Sequence, residues 1–379
     1  MTLTPLIEKA RVIIALGPGG VGKTTTAAAL ALKAAQAGRR TLVCTIDPAR
    51  RLATSLGVTL GDEPSLVSPA RFEAAGLAPS SNLYAMMLDP ATALDRLLLS
   101  AGRDADTARR LGRHPLYRTM ARDLPGMNEY AAVARLHELY QAGEWDLVAL
   151  DTPPTTHALD FLDAPVKMLR ALKSPAVQWL VRPYLKAGRL SLKLLGGAKA
   201  YVLRRLARIV GIGLLEQMAE FLVLFETVLD GVAERIDLVS HLLSGAQVRY
   251  VVVTSPTPAS VQETWALARQ LERRRLRVDG LVMNRMHGLA ELHRVDPEDI
   301  ATDLARRPLV DRMPAPDQLR LLEWLSATHR RFHLLARADQ RQLDWLEGQF
   351  DSPPLTATVP LMGEDVHDLG GLSRLAVHL

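Results

Sequence analysis

The 379-residue chain holds a single cysteine, Cys44. An intrachain disulfide and any cysteine-based zinc site within one chain are thereby excluded. The place of Cys44 within an apolar strand pattern reads as a buried, inert thiol. Aromatic residues make up only 5% of the chain, too sparse for a base-stacking platform, so no nucleic-acid partner is expected. No run of about 18 uncharged apolar residues occurs; the longest candidate, Leu214 to Val232, is broken by Glu216, Glu220 and Glu226. Glu8 and an early first strand leave no room for the apolar core of a signal peptide. A cytoplasmic protein is expected, and 48% hydrophobic residues suffice for a large core.

One further absence is local. Residues 164 to 215 contain no Asp or Glu but eleven Lys or Arg, more than the whole chain's net charge of +5, so the remainder is acidic by six. Apolar residues interleave the charges in "WLVRPYLKAGRLSLKLL". The segment reads either as a solvated face or as an amphipathic surface for an anionic or hydrophobic partner, including peripheral docking at a membrane.

What the chain does have begins with "RVIIALGPGGVGKTTTAAALALKAA", residues 11 to 35. A β-branched apolar run enters a glycine-rich turn, and an alanine-rich helical pattern leaves it. The spacing of Gly17, Gly22, Lys23 and Thr24 fits G-x-x-x-x-G-K-[ST]. In that pattern backbone N–H groups from Gly17, Gly19, Gly20, Val21, Gly22 and Thr25 wrap phosphates, Lys23 reaches the β/γ oxygens, and Thr24 holds Mg²⁺.

Further strand patterns recur at 41–47, 83–88, 146–151, 248–255, 276–284 and 355–361, most of them separated by helical patterns. Buried strands alternating with helices predict a doubly wound, mostly parallel α/β sheet of the P-loop type, with ligands at the carboxyl ends of the strands. Gly17, Asp47, Asp151 and Asn284 each close a strand. Strand patterns stop between Asp151 and Val248. That interval, about 158–245, and the shorter helical piece about 89–142, are expected to form an all-helical subdomain inserted into a single ATPase domain spanning 1–379. Within it, the 3-then-4 spacing of Leu215, Met218, Leu222, Phe225, Leu229, Val232, Ile236, Val239 and Leu243 predicts one long helix with an apolar seam.

Asp151 ends "DLVALDTPP", where a carboxylate can hold the waters of Mg²⁺ opposite Thr24. Asp47 can orient the water that attacks the γ-phosphate; it can equally cap the following helix, with Pro48 in the first turn. His329 and His333, four apart in "THRRFH", read as surface or capping histidines rather than metal ligands.

Taken in order, "GPGGVGKTTT", "TIDPARRLATSLG", "DLPGMNEYAAV", "DLVALDTPPTTHAL", "VVVTSPTPASVQETWALARQL", "VMNR" and "TATVPLMGEDV" resemble the arsenical pump-driving ATPases and their relatives, the guided-entry ATPases that deliver tail-anchored membrane proteins. The resemblance implies Asp47 as the switch I residue that positions water, Asp151 as the switch II carboxylate, Asn284 as the adenine reader, and Pro360, Leu361 and Met362 as a loop beside the base. It also implies ATP as substrate, Mg²⁺, and a nucleotide-clamped homodimer.

The departures are specific. Pro18 stands where the family carries a lysine that crosses the dimer interface, and Arg50 or Arg51 is the candidate replacement for that charge. Thr156 replaces a usual glycine. The family's zinc-binding C-x-x-C pair and its arsenite-binding cysteines are absent, so no zinc is expected and soft-metalloid pumping loses its natural ligands. Three functions follow as expectations: an ATPase whose helical subdomain holds a hydrophobic helical client, a nucleotide-dependent membrane or scaffold switch, and the energy-coupling subunit of an anion exporter. Met86, Met87, Met120, Met127, Met168 and Met218 are the candidate flexible lining of a client groove.

Overall fold

A computed structural model describes residues 2–46, 51–89, 105–123, 127–152, 237–288 and 313–379, with isolated residues between these stretches. Asp47, Arg50, Thr156, Met168, Met218 and the basic segment 164–215 lie outside the described residues, as do the side chains of Arg51, Met120 and Met127.

The chain opens with α1 (Thr4–Lys9) and β1 (Val12–Leu16), followed by α2 (Lys23–Gln36), β2 (Thr41–Thr45), α3 (Arg51–Leu56), β3 (Ser65–Leu66), α4 (Pro69–Ala74) and β4 (Leu83–Met87). Three helices come next, α5 (Ala105–Arg113), α6 (Pro115–Asp123) and α7 (Met127–Gln141), and then β5 (Leu147–Asp151). The last part carries β6 (Val248–Thr254), α8 (Pro258–Arg273), β7 (Val278–Met286), α9 (Ala315–Glu347), β8 (Leu355–Pro360) and α10 (Leu369–Ala376). The eight strands form one sheet in the order β3-β4-β2-β5-β1-β6-β7-β8. All pairings are parallel except that of β3 with β4.

Alternating side chains send two sets of apolar residues to opposite faces. Ile13, Val43, Ala149 and Val251 pack with the alanines of α2 and with Leu372 and Leu375 of α10. Ile14, Leu42, Leu150 and Val252 pack with Val133 and Leu136 of α7 and Leu267 and Leu271 of α8. Alanine suits α2 because it combines high helix propensity with a close approach to the strands. Every residue of β1, β2 and β5 is buried, as expected for strands covered on both sides.

The methionine reading changes here. Met86 is fully buried on β4 among the residues of the second core face, and Met87 shares that strand, so neither lies on a helix of a client groove. Of the expected seam, Val239 and Leu243 are buried against the sheet core, and Leu215, Met218, Leu222, Phe225, Leu229, Val232 and Ile236 lie outside the described residues. Helix α7, within the expected piece about 89–142, packs on the sheet through Val133 and Leu136. Cys44 is buried, and burial pushes its thiol pKa up.

Candidate functional site

The turn after β1 is shaped by contacts that admit only glycine at two points. At Gly17 a Cβ would lie 2.0 Å from the Val253 carbonyl oxygen of β6. At Gly22, the N-cap of α2, φ is 97° and a Cβ would lie 2.4 Å from Asn284 Nδ2. Left-handed backbone and close approach together explain the second glycine. The turn ends at the amino terminus of α2, where unpaired N–H groups and the helix dipole favour an anion.

Lys23, in the first turn of α2, is buried and donates from Nζ to the Pro18 carbonyl at 2.8 Å. Proline supplies no side-chain charge, but its carbonyl holds this ammonium in place. The sequence gives no sign of this contact, since it runs from main chain to side chain across the turn.

On one flank, Thr24 Oγ1 donates to Asp151 Oδ2 at 2.6 Å. Thr45 Oγ1, at the end of β2, donates to the same oxygen at 3.0 Å. Sheet register explains the meeting: Asp151 of β5 pairs with Ala15 of β1 on one side and with Thr45 on the other. Thr152 Oγ1 donates to the Ala15 carbonyl at 2.8 Å, fastening the two strand ends. Thr45 was not a sequence candidate, because a threonine in a strand pattern carries no signal beyond its β propensity. The hydroxyl and carboxylate oxygens of Thr24 and Asp151 are hard donors of the kind Mg²⁺ prefers, so this pair fits the expected ion.

On the other flank, Asn284 Nδ2 donates to the Val21 carbonyl at 2.8 Å, and Asn284 Oδ1 accepts from Arg285 N at 3.0 Å. Arg285 has φ 65° and sits at an irregularity in the β7 to β8 register. Such bulges re-aim neighbouring side chains. Leu361 N donates to the Met286 carbonyl at 2.8 Å, tying the turn after β8 to β7. A cavity of about 540 Å³ lies here, and its lining includes Gly22, Thr25, Asn284, Pro360, Leu361 and Met362. The sequence had separated these residues by more than 330 positions. Arg285, Glu364, Asp365 and His367 also line the cavity and were not foreseen.

His329 and His333 lie on α9 with ring centroids 6.3 Å apart. Among the described residues, no cluster of three or more metal-ligating side chains is present, and no helix is long and apolar enough to cross a membrane.

Residues 10–295 match the family described as "Anion-transporting ATPase". A curated relative, "ATPase GET3" of Paracoccidioides lutzii (strain ATCC MYA-826 / Pb01), is 32% identical over 157 residues, which is 41% of this chain and 43% of that relative. The matched part thus spans less than half of the relative's length. With a family match over most of its length and a phosphate loop on a parallel α/β sheet, the chain belongs to the anion-transporting ATPase family.

Proposed function

We propose that the protein is a Mg²⁺-dependent ATPase that works as a homodimer and couples its nucleotide state to the binding of a hydrophobic helical client. The observation that carries the ATPase reading is the hydrogen bond from Thr24 to Asp151 at 2.6 Å beside the Lys23 phosphate loop. Lys23 exchanges the Pro18 carbonyl for β- and γ-phosphate oxygens, whose negative charge is the stronger partner. Loop N–H groups hold the remaining phosphate oxygens. Bound Mg²⁺ would neutralise phosphate charge, with Thr24 and Asp151, the latter through water, as the residues that hold it. Asp47 orients the attacking water, and Asn284 with Pro360, Leu361 and Met362 holds the base.

The client reading rests on the resemblance to guided-entry ATPases and on an observation from α9. Leu319, Trp324, Phe332, Leu334 and Leu335 are all more than 40% exposed on that helix and leave large apolar side chains for a partner to cover. The anion-exporter alternative is weakened by Cys44, because the only thiol in the chain is buried in β2 and cannot coordinate a soft metalloid.

The test is ATP turnover with and without Mg²⁺ for the wild type and Lys23→Ala. Metal-dependent turnover in the wild type and lost nucleotide binding in the variant are expected. Turnover that ignores Lys23 ends the ATPase reading. A model transmembrane peptide captured only with ATP supports the client, whereas ATP-dependent binding to liposomes without such capture supports the membrane switch.

A further inference from the structure

A second cavity, of about 530 Å³, lies at the other end of the sheet. Val278 opens β7 on this cavity and Asn284 lies near its end on the first one, so roughly 20 Å of strand separates them. The walls come from the end of α8, the turn after it, and the segment after α9.

Trp265 and Phe350 form an aromatic wall, edge to face with centroids 5.8 Å apart. Arg269 lies 5.7 Å over the Trp265 ring. Arg275 and Arg277 line the same space, with Glu272 and Asp351 as the opposing carboxylates. Three guanidinium groups against two carboxylates leave the cavity positive. Beside it, Arg249 pairs with Asp279 at 2.8 Å; among the described residues Arg275 and Arg277 form no such ion pair.

Arg275 also stands in unusual backbone. Its φ is 60°, one residue past Arg274, the C-cap of α8. Leu276 N donates to the Leu271 carbonyl at 3.0 Å and Arg275 N to the Glu272 carbonyl at 2.8 Å. This is the helix-ending turn whose left-handed position glycine normally fills. An arginine there carries backbone strain that glycine would relieve, and strained non-glycine residues concentrate where a side chain has work to do.

We propose that this cavity docks an acidic peptide segment of a partner protein, with an aromatic side chain placed against Trp265 and Phe350 and carboxylates on Arg275 and Arg277. Tryptophan and arginine around an apolar centre are the usual anchors of protein interfaces. An isolated phosphate would use the guanidinium groups but leave the aromatic wall in water. Glu272 and Asp351 repel further carboxylates and so restrict where the acidic residues of the segment lie.

Arg275→Gly separates this role from a structural one, since glycine accepts φ 60° without strain. Full-length protein is titrated against a fluorescein-labelled peptide of glutamates around a central phenylalanine, and anisotropy is read. Binding to Arg275→Gly and to Arg277→Gln should be at least about tenfold weaker than to the wild type. The Arg275→Gly melting temperature should not fall, and ATP turnover should be unchanged in both variants. A peptide with alanine in place of phenylalanine should bind more weakly. No saturable binding by the wild type, equal binding by wild type and both variants, or equal binding of the alanine peptide would overturn the proposal.

Discussion

The two flanks of the phosphate loop are built differently. On the β5 and β2 side, Thr24 and Thr45 both donate to Asp151 Oδ2, with Asp151 and Thr45 almost fully buried. On the β7 and β8 side, Asn284 is anchored to the loop, but around it lies a cavity of about 540 Å³. Phosphate and metal chemistry needs a few oxygen atoms held within tenths of an ångström. A base needs a slot of the right width with one or two polar edges. On the proposed reading, the first flank, closed by short side chains on paired strands, serves phosphate and metal, and the second, left open between a strand bulge and a turn, serves the base.

Replacing the carboxylate breaks this contrast most severely. Asp151→Asn keeps the shape of the side chain but removes the charge opposite Thr24. Turnover should fall by about 10² to 10³, the usual cost of removing one preorganised electrostatic group. Binding of a fluorescent ATP analogue without Mg²⁺ should persist. Wild-type turnover in the variant would show that the charge on this flank has no part in the reaction.

Gly22 joins the flanks, being both the N-cap of α2 and the neighbour of Asn284. Gly22→Ala places a methyl 2.4 Å from Asn284 Nδ2 at a φ of 97°. The strained backbone alone costs about 1–3 kcal/mol, and Asn284 must also leave the Val21 carbonyl. A lower melting temperature and weaker affinity for both ATP and free adenosine are expected. If affinity for adenosine alone is unchanged, the link between loop and base side is broken as an idea.

Asn284→Ala probes the open flank by itself. Loss of the amide leaves the Val21 carbonyl without this donor and removes the polar edge of the slot, which should weaken ATP binding by about tenfold and reduce discrimination against GTP. Competition between ATP and GTP in equilibrium binding measures both. Turnover at saturating ATP should change little, which distinguishes this flank from the other.

Legibility in the sequence follows the same division. The strand patterns at 41–47, 146–151 and 248–255 agree with β2, β5 and β6 to within a residue or two, because β-branched runs buried on both faces leave a continuous apolar signal. The two-residue β3 is invisible, being too short for any period, and α4 separates it in sequence from β4, its antiparallel partner. The 33-residue α9 was glimpsed only at "THRRFH", since its apolar residues are spread round the helix rather than gathered in one stripe. At the site, the phosphate loop is local in sequence and was legible as chemistry. Asn284 and Pro360 to Met362 were legible only through family resemblance. Arg285, Glu364 and Asp365 lie inside the stretches "VMNR" and "TATVPLMGEDV" and His367 just beyond the second, but no role attaches to them until sheet order brings both stretches to one cavity.

Thr45 gives the smallest effect and the sharpest reading of the closed flank. It is buried at the end of β2 and donates to Asp151 Oδ2 at 3.0 Å, sharing that oxygen with Thr24. Valine has nearly the same shape, so Thr45→Val removes a donor while leaving the packing intact, and no bulky group enters the site. If Thr45 only fills space, turnover and metal dependence stay as they are. If it orients the carboxylate toward Thr24, Asp151 gains freedom and turnover falls by about threefold, in line with about 0.5–1.5 kcal/mol for one hydrogen bond. The Mg²⁺ concentration for half-maximal turnover should rise in parallel, because the same carboxylate faces the ion. Thr45→Ser restores the hydroxyl without the methyl and should recover both quantities; a serine variant as slow as the valine one would assign the effect to packing instead.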